Sequence, residues 1–156
     1  ERGEVPGEIL LDRIASLAAR PLDLTELHAH WLSMFEPWDE MFTLASGLKA
    51  DYRVYLLSNI GDMHWAHLDS LYGLDALVHG ACASFRVGAI KPHVDIYRKA
   101  EVMFDLDPSA TVFLDDLLPN VTAARECGWH AIHHIDAGLT RSQLRTLGVR
   151  LPAPFT

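Results

Sequence analysis

Cysteine is scarce here. Cys82 and Cys127 are the only two in 156 residues. Two thiols so far apart in the chain make neither a disulfide framework nor a Cys-rich zinc site. They read as reduced, mostly buried side chains of a cytoplasmic protein. Positive charge is also in short supply: 13 Lys and Arg stand against 21 Asp and Glu, a net charge of -8. An acidic surface of this kind argues against nucleic acid and against an anionic membrane as the main partner. A phosphate site would have to create its own local positive potential. Long apolar runs are missing as well, and none approaches the roughly 20 residues of a membrane span. Neither internal repeats nor low-complexity segments occur. What remains is ordinary: 49% hydrophobic and 22% charged residues, enough for a folded unit with a real core.

The pattern changes once along the chain. Residues 7–50 read as helical. Ile9, Leu10, Ile14, Leu17 and Ala18 recur at helical spacing, Pro21 ends that helix, and a second runs from Leu24 to about Met34. Phe35, Trp38, Met41, Phe42, Leu44 and Leu48 continue an apolar face, which reads as helix-bundle core rather than a cofactor box. From residue 51 short apolar runs alternate with helical patterns. Strands are expected at 54–57, 81–85, 111–114 and 130–134, and helices at 61–71, 94–104, 120–127 and 139–147. Such alternation implies α/β architecture: a Rossmann-like parallel sheet with flanking helices. The expected division is a helical cap segment at 1–50 and an α/β core at 51–156.

Three strand ends carry polar chemistry. The run Thr111-Val112-Phe113-Leu114 delivers Asp115 and Asp116 side by side, followed by Leu117-Leu118-Pro119-Asn120. Adjacent carboxylates repel and so favour a nearby cation, Mg²⁺ above all for its oxygen preference. Leu56-Leu57 ends in the hydroxyl of Ser58 and the amide of Asn59, and Ile90-Lys91-Pro92 supplies a lone cation. In an open α/β sheet, ligands bind beyond the carboxyl ends of the strands. Taken singly these are a helix N-cap, a surface lysine and a turn with solvated acids. Taken together they form a phosphate-plus-metal kit, with Ser58, Lys91 and Asp115 expected to converge on one edge.

In that order, Ser58-Asn59, Gly88-Ala89-Ile90-Lys91-Pro92 and Asp115-Asp116 with Asn120 resemble motifs II, III and IV of the haloacid dehalogenase-like hydrolase superfamily. The stretches Leu56 through Trp65, Lys91-Pro92 with Ile96-Tyr97, and Phe113 through Asp116 are similar to its small-molecule phosphatase branch, which includes the phosphatase-like domain of soluble epoxide hydrolase. The resemblance covers residues 51 to about 136. It implies that Ser58, Asn59 and Lys91 hold the phosphoryl group, with Lys91 also orienting a carboxylate nucleophile. It implies that Asp116 ligates Mg²⁺ directly, while Asp115 and Asn120 hold metal-bound waters and Lys91. His64 and Trp65, one turn past motif II, are candidates for a substrate pocket. Small phosphorylated metabolites, sugar phosphates among them, are the implied substrates. His133-His134 does not read as a metal pair, because neighbours on a strand point to opposite faces.

The family's motif I, an Asp-bearing strand, is what the sequence lacks. Asp12, Asp23 and Asp39 all lie in or beside helical segments. The first residue is Glu1, not Met. The expectation is therefore an N-terminally truncated chain, inactive alone, whose sheet lacks its central strand. Two rivals stand beside this reading. One is a metal-free dehalogenase of the same fold, disfavoured by Asp115-Asp116. The other is a non-catalytic module completed by a partner chain.

Overall fold

A computed structural model describes residues 2–152. The end of the proline-containing tail, residues 153–156, lies outside the described residues. Three helices come first: α1 (Gly7–Ser16), α2 (Leu24–Leu32) and α3 (Asp39–Leu48). Strands and helices then alternate as β1 (Tyr55–Ser58), α4 (Asp62–Tyr72), α5 (Leu74–Leu77), β2 (Gly80–Ala83), α6 (Ser84–Val87) and α7 (Val94–Phe104). A 3-10 turn at Pro108–Ala110 leads to β3 (Val112–Asp115), α8 (Leu118–Glu126), β4 (His130–His133) and α9 (Ala137–Thr146). Local chemistry explains several boundaries. The Asp23 carboxylate accepts from the N–H groups of Thr25 and Glu26 and starts α2. Gly73, at φ 61°, ends α4 in the left-handed conformation that glycine adopts without strain. Pro119 sits in the first turn of α8, where its missing N–H costs nothing.

β1 pairs parallel with β2, Ser58 opposite Ala83, and β3 pairs parallel with β4, Asp115 opposite His133. Parallel neighbours need crossover connections, and α4–α5 and α8 supply them. The second strand is shorter than the 81–85 expected: Ser84 and Phe85 belong to α6. β1 ends at Ser58, so residues beyond Ala83 have no ladder to extend. Ser84 instead accepts from the Ile60 N–H (2.9 Å) and donates to its carbonyl (3.0 Å). His134 likewise falls just past β4, although its N–H still donates to the Asp115 carbonyl at 2.9 Å. α8 begins at Leu118, two residues before the expected start, and α5 and α6 were not anticipated, being too short to show a period.

The two strand pairs do not join. Among the described residues β1 and β3 each have one strand neighbour. Where a central strand would run there is a cavity of about 880 Å³, lined by both strands. One apolar layer nevertheless spans all four strands: Leu57, Cys82, Phe113 and Ala131 pack with Ile96 and Tyr97 of α7 and Val121 of α8. Its centre is an edge-to-face triad of Tyr97, Phe113 and Trp129 with centroids 5.6–5.9 Å apart. Each such contact contributes about 0.5–1.5 kcal/mol beyond burial. On the opposite face α3 touches both halves. Phe42 packs in the cluster of Ile60, Trp65 and Ala83, while Leu44 packs with Ile132 and Leu144.

Candidate active site

The C-terminal ends of β1 and β3 meet through the loop that carries Lys91. Asn59, the residue after β1, turns its side-chain amide onto this loop. Its Nδ2 donates to the Lys91 carbonyl (2.9 Å) and its Oδ1 accepts from the Lys91 N–H (2.7 Å). The Lys91–Pro92 peptide bond is cis, and the turn is closed by His93 N–H donating to the Ile90 carbonyl at 3.0 Å. From there the Lys91 ammonium donates to Asp115 Oδ2 at 2.6 Å, with side-chain exposures of only 11% and 3%.

Both oxygens of Asp115 are engaged. Its other oxygen, Oδ1, accepts from the Leu117 N–H (2.9 Å) and from Asn120 Nδ2 (2.8 Å). A buried ion pair is tolerated when its remaining lone pairs are satisfied in this way. Asn120 is itself buried, and its carbonyl accepts from the Tyr97 hydroxyl at 2.8 Å. Burial, reinforced by the nearby Asp115 carboxylate, pushes the Tyr97 phenol well above its ordinary range. Tyr97 thus stays a neutral donor holding the motif from below.

The other candidates divide. Ser58 ends β1 half-buried, at the same edge as Asn59 and Lys91. Asp116 is exposed, and its carbonyl accepts from His133 Nε2 at 2.9 Å. His64 is buried under the helical segment: its Nε2 donates to the Trp31 carbonyl (2.7 Å), and its ring lies between Trp31 and Phe35. Trp65 is 4% exposed, packed in the core beside Ile60 and Ala83, with the Arg86 guanidinium 4.7 Å above its ring. His134 faces away from His133, bound through Nδ1 to Thr140 Oγ1 at 2.7 Å and covered by Trp38. Sequence reasoning missed the Ser84 clamp on Ile60 and the Tyr97 support of Asn120. A serine at the end of an apolar run was the only available signal for the first.

Among the described residues no three His, Cys, Asp or Glu side chains are grouped to hold a metal. Both oxygens of Asp115 are engaged by hydrogen bonds, while Asp116 is the exposed carboxylate. This donor set suits Mg²⁺, which keeps several waters and takes one or two carboxylates plus a phosphate oxygen; it does not suit zinc or a calcium cage. With Lys91 already neutralised by Asp115, the exposed Asp116 leaves the edge with uncompensated negative charge that a dication would balance.

No protein-family model matches the chain. Curated relatives do, two phosphatases among them. A D-ribitol-5-phosphate phosphatase of Bacteroides thetaiotaomicron is 25% identical over 154 residues, covering 94% of this chain and 75% of the relative. A sesquiterpene phosphatase of Aspergillus oryzae is 27% identical over 149 residues, covering 94% and 76%. Among solved structures, a HAD family enzyme of Bacteroides thetaiotaomicron in a magnesium complex superposes with a TM-score of 0.80 at 24% identity, covering 92% of this chain and 76% of that one. In fold the chain is similar to haloacid dehalogenase-like hydrolases, and the curated relatives it resembles are phosphatases.

Proposed function

We propose that these residues serve Mg²⁺-dependent hydrolysis of phosphate monoesters of small metabolites. Ser58 and the N–H groups entering α4 hold phosphoryl oxygens, aided by the positive end of the helix. Lys91 neutralises charge on the transferring group and is held in place by Asn59 from behind and Asp115 in front. Asp116, with Asp115 and Asn120 behind it, would hold the metal, which when bound offsets the negative charge of the phosphate. The helical segment of residues 1–50 acts as a cap over the 51–156 core. In the family that the motifs resemble, the attacking group is a carboxylate. Asp115 is committed to Lys91, Leu117 and Asn120, and Asp62 to the N–H groups of Gly7 and Met63. Asp116 is given to the metal in this reading, so no described carboxylate is left to attack, and the chain by itself is read as a binding-competent but non-hydrolysing unit.

The observation that carries this reading is the 2.6 Å contact between Lys91 and Asp115, which puts two of the three motifs in one place. The dehalogenase alternative gains nothing from it, since the metal-free dehalogenases of the superfamily that the motifs resemble do not keep this acidic pair. The test is calorimetry with inorganic phosphate as the probe, with and without Mg²⁺. Phosphate binding is expected to require Mg²⁺ and to weaken about tenfold in Ser58→Ala, the worth of one good hydrogen bond. Equal phosphate affinity in the absence of Mg²⁺ overturns the metal-dependent reading.

A further inference from the structure

The apolar face expected to run from Phe35 to Leu48 divides in the fold. Leu44 is buried, but Phe35 and Trp38 stay 42% and 53% exposed, and Met34 beside them is exposed too. These residues form the strap between α2 and α3, and both of its ends are fixed at the site edge. The Phe35 ring stands edge-on to His64, 4.8 Å away, in the turn of α4 that follows Ser58 and Asn59. The Trp38 ring covers His134 at 4.6 Å, and the His134 N–H donates to the Asp115 carbonyl. Three residues reach about 10 Å at most, so the strap crosses from the Ser58 side of the edge to the Asp115 side in one short span. Leu117 and Ile135, which directly follow Asp116 and His134, are exposed apolar side chains as well. Single exposed apolar side chains are ordinary, but a group of them bordering a polar cradle marks a surface that an apolar group covers.

The polar side chains around this rim are spent inside the fold. His64 Nε2 is bound to the Trp31 carbonyl, His134 Nδ1 to Thr140 and His133 Nε2 to the Asp116 carbonyl, while Asp136 accepts from the Leu139 N–H. A polyol needs fixed partners for its hydroxyls, and a hydroxyl covered without one weakens binding. The charged groups on and beside the strap, Glu36 and Asp39, are exposed carboxylates, which repel a second anionic group on a ligand. We propose that the site is built for phosphate monoesters of uncharged, apolar alcohols, the hydrocarbon part lying on Phe35 and Trp38 while the phosphate sits at Ser58 and Lys91. The patch continues the phosphate-binding edge, so one amphipathic molecule covers both. This rests on the phosphatase reading and narrows its substrates from small metabolites at large to amphipathic ones; sugar phosphates match the rim poorly. Each CH₂ taken out of water on the strap raises affinity by up to roughly fourfold.

The experiment is calorimetry on the purified 1–156 chain with Mg²⁺. The probes are inorganic phosphate, ethyl, butyl and hexyl phosphate, sorbitol 6-phosphate and 1-hexanol. Affinity is expected to climb along the alkyl series, with hexyl phosphate at least tenfold tighter than ethyl phosphate and than sorbitol 6-phosphate. Phe35→Ser and Trp38→Ser, made separately, should each flatten the series while inorganic phosphate binds as in the parent, which also shows that the variants fold. Inorganic phosphate binding without a gain along the series overturns this proposal and leaves the phosphatase reading standing. Failure of inorganic phosphate and of every ester to bind overturns both. A gain that survives both substitutions, or hexanol binding as tightly as hexyl phosphate, places the apolar contact away from the strap or away from the phosphate, and either result overturns the proposal.

Discussion

Asn59 holds Lys91 by its main chain and not by its ammonium: one amide group satisfies both the N–H and the carbonyl of a single residue. The side chain of Lys91 is thereby left to Asp115. Asn59→Ala strips both partners at once and should lower stability by about 1–3 kcal/mol, the cost of buried polar groups left unmet. Asn59→Asp should do no better, because it sets a carboxylate oxygen against the Lys91 carbonyl. Urea denaturation at constant m-value measures both. An Asn59→Asp variant as stable as the parent would show that the amide orientation is not what anchors the loop.

The Lys91–Asp115 pair is open to a double-mutant cycle. Lys91→Met leaves the Asp115 carboxylate buried without its counter-charge and should cost about 3–5 kcal/mol. Asp115→Asn should also destabilise the chain. Lys91→Met with Asp115→Asn should cost less than the two single losses added together, because no unpaired charge remains. Strict additivity would mean that the 2.6 Å contact carries no coupling.

Asp116 should behave differently. It is exposed and supports no packing, so Asp116→Asn should change stability by less than about 0.5 kcal/mol. Mg²⁺ affinity should nevertheless fall, a neutral amide being a poorer ligand for a hard dication. Thermal shift measured across a Mg²⁺ titration separates the two effects. An unchanged titration curve would place the metal elsewhere.

Tyr97 gives the pH dependence. Its phenol is held above the ordinary range by burial first and by Asp115 second. Above about pH 10 the unfolded chain loses this proton while the folded chain keeps it. The unfolded state then binds fewer protons, so stability falls as pH rises. Tyr97→Phe removes that contribution and, at neutral pH, costs about 1 kcal/mol for the bond to Asn120. The stability gap between parent and variant should therefore narrow from neutral to alkaline pH. Chemical denaturation at a series of pH values reads the gap directly, and a constant gap refutes the assignment.

Turnover by the chain alone is the simplest measurement. Residues 1–156 with Mg²⁺ should hydrolyse p-nitrophenyl phosphate no faster than background, because Asp62 and Asp115 are engaged by hydrogen bonds and Asp116 is the residue proposed to hold the metal. Robust activity abolished by Lys91→Ala would falsify the view that no described carboxylate is left to attack.

Much of this was legible in advance. Leu56-Leu57-Ser58-Asn59, Ile90-Lys91 and Phe113-Leu114-Asp115 each place a polar group where an apolar run stops, and a strand end is where such a run must stop. Orientation was not legible. The type of residue 59 shows that it can donate and accept, but only the loop of Lys91 decides what it meets. The same limit applies to Met41, Phe42, Leu44 and Leu48. Their spacing marks a buried face without saying against what, and in the fold α3 touches both strand pairs. Trp65 is a pocket candidate by its place after Ser58-Asn59 alone, and in the fold it packs in the core beside Ile60 and Ala83. Ser84 was read as strand because an apolar run shows no difference between a strand and the residue that terminates it.

The first turn of α4 is shared property. Asp62 in that turn accepts from the Gly7 N–H at 3.0 Å, and His64 donates to the Trp31 carbonyl at 2.7 Å. The leading helices are thus fastened to the very turn that follows Ser58 and Asn59. No linker separates that turn from its contacts with α1 and α2: both bonds are made directly. A substitution at Asp62 or His64 would therefore disturb the leading helices and the turn after Asn59 together.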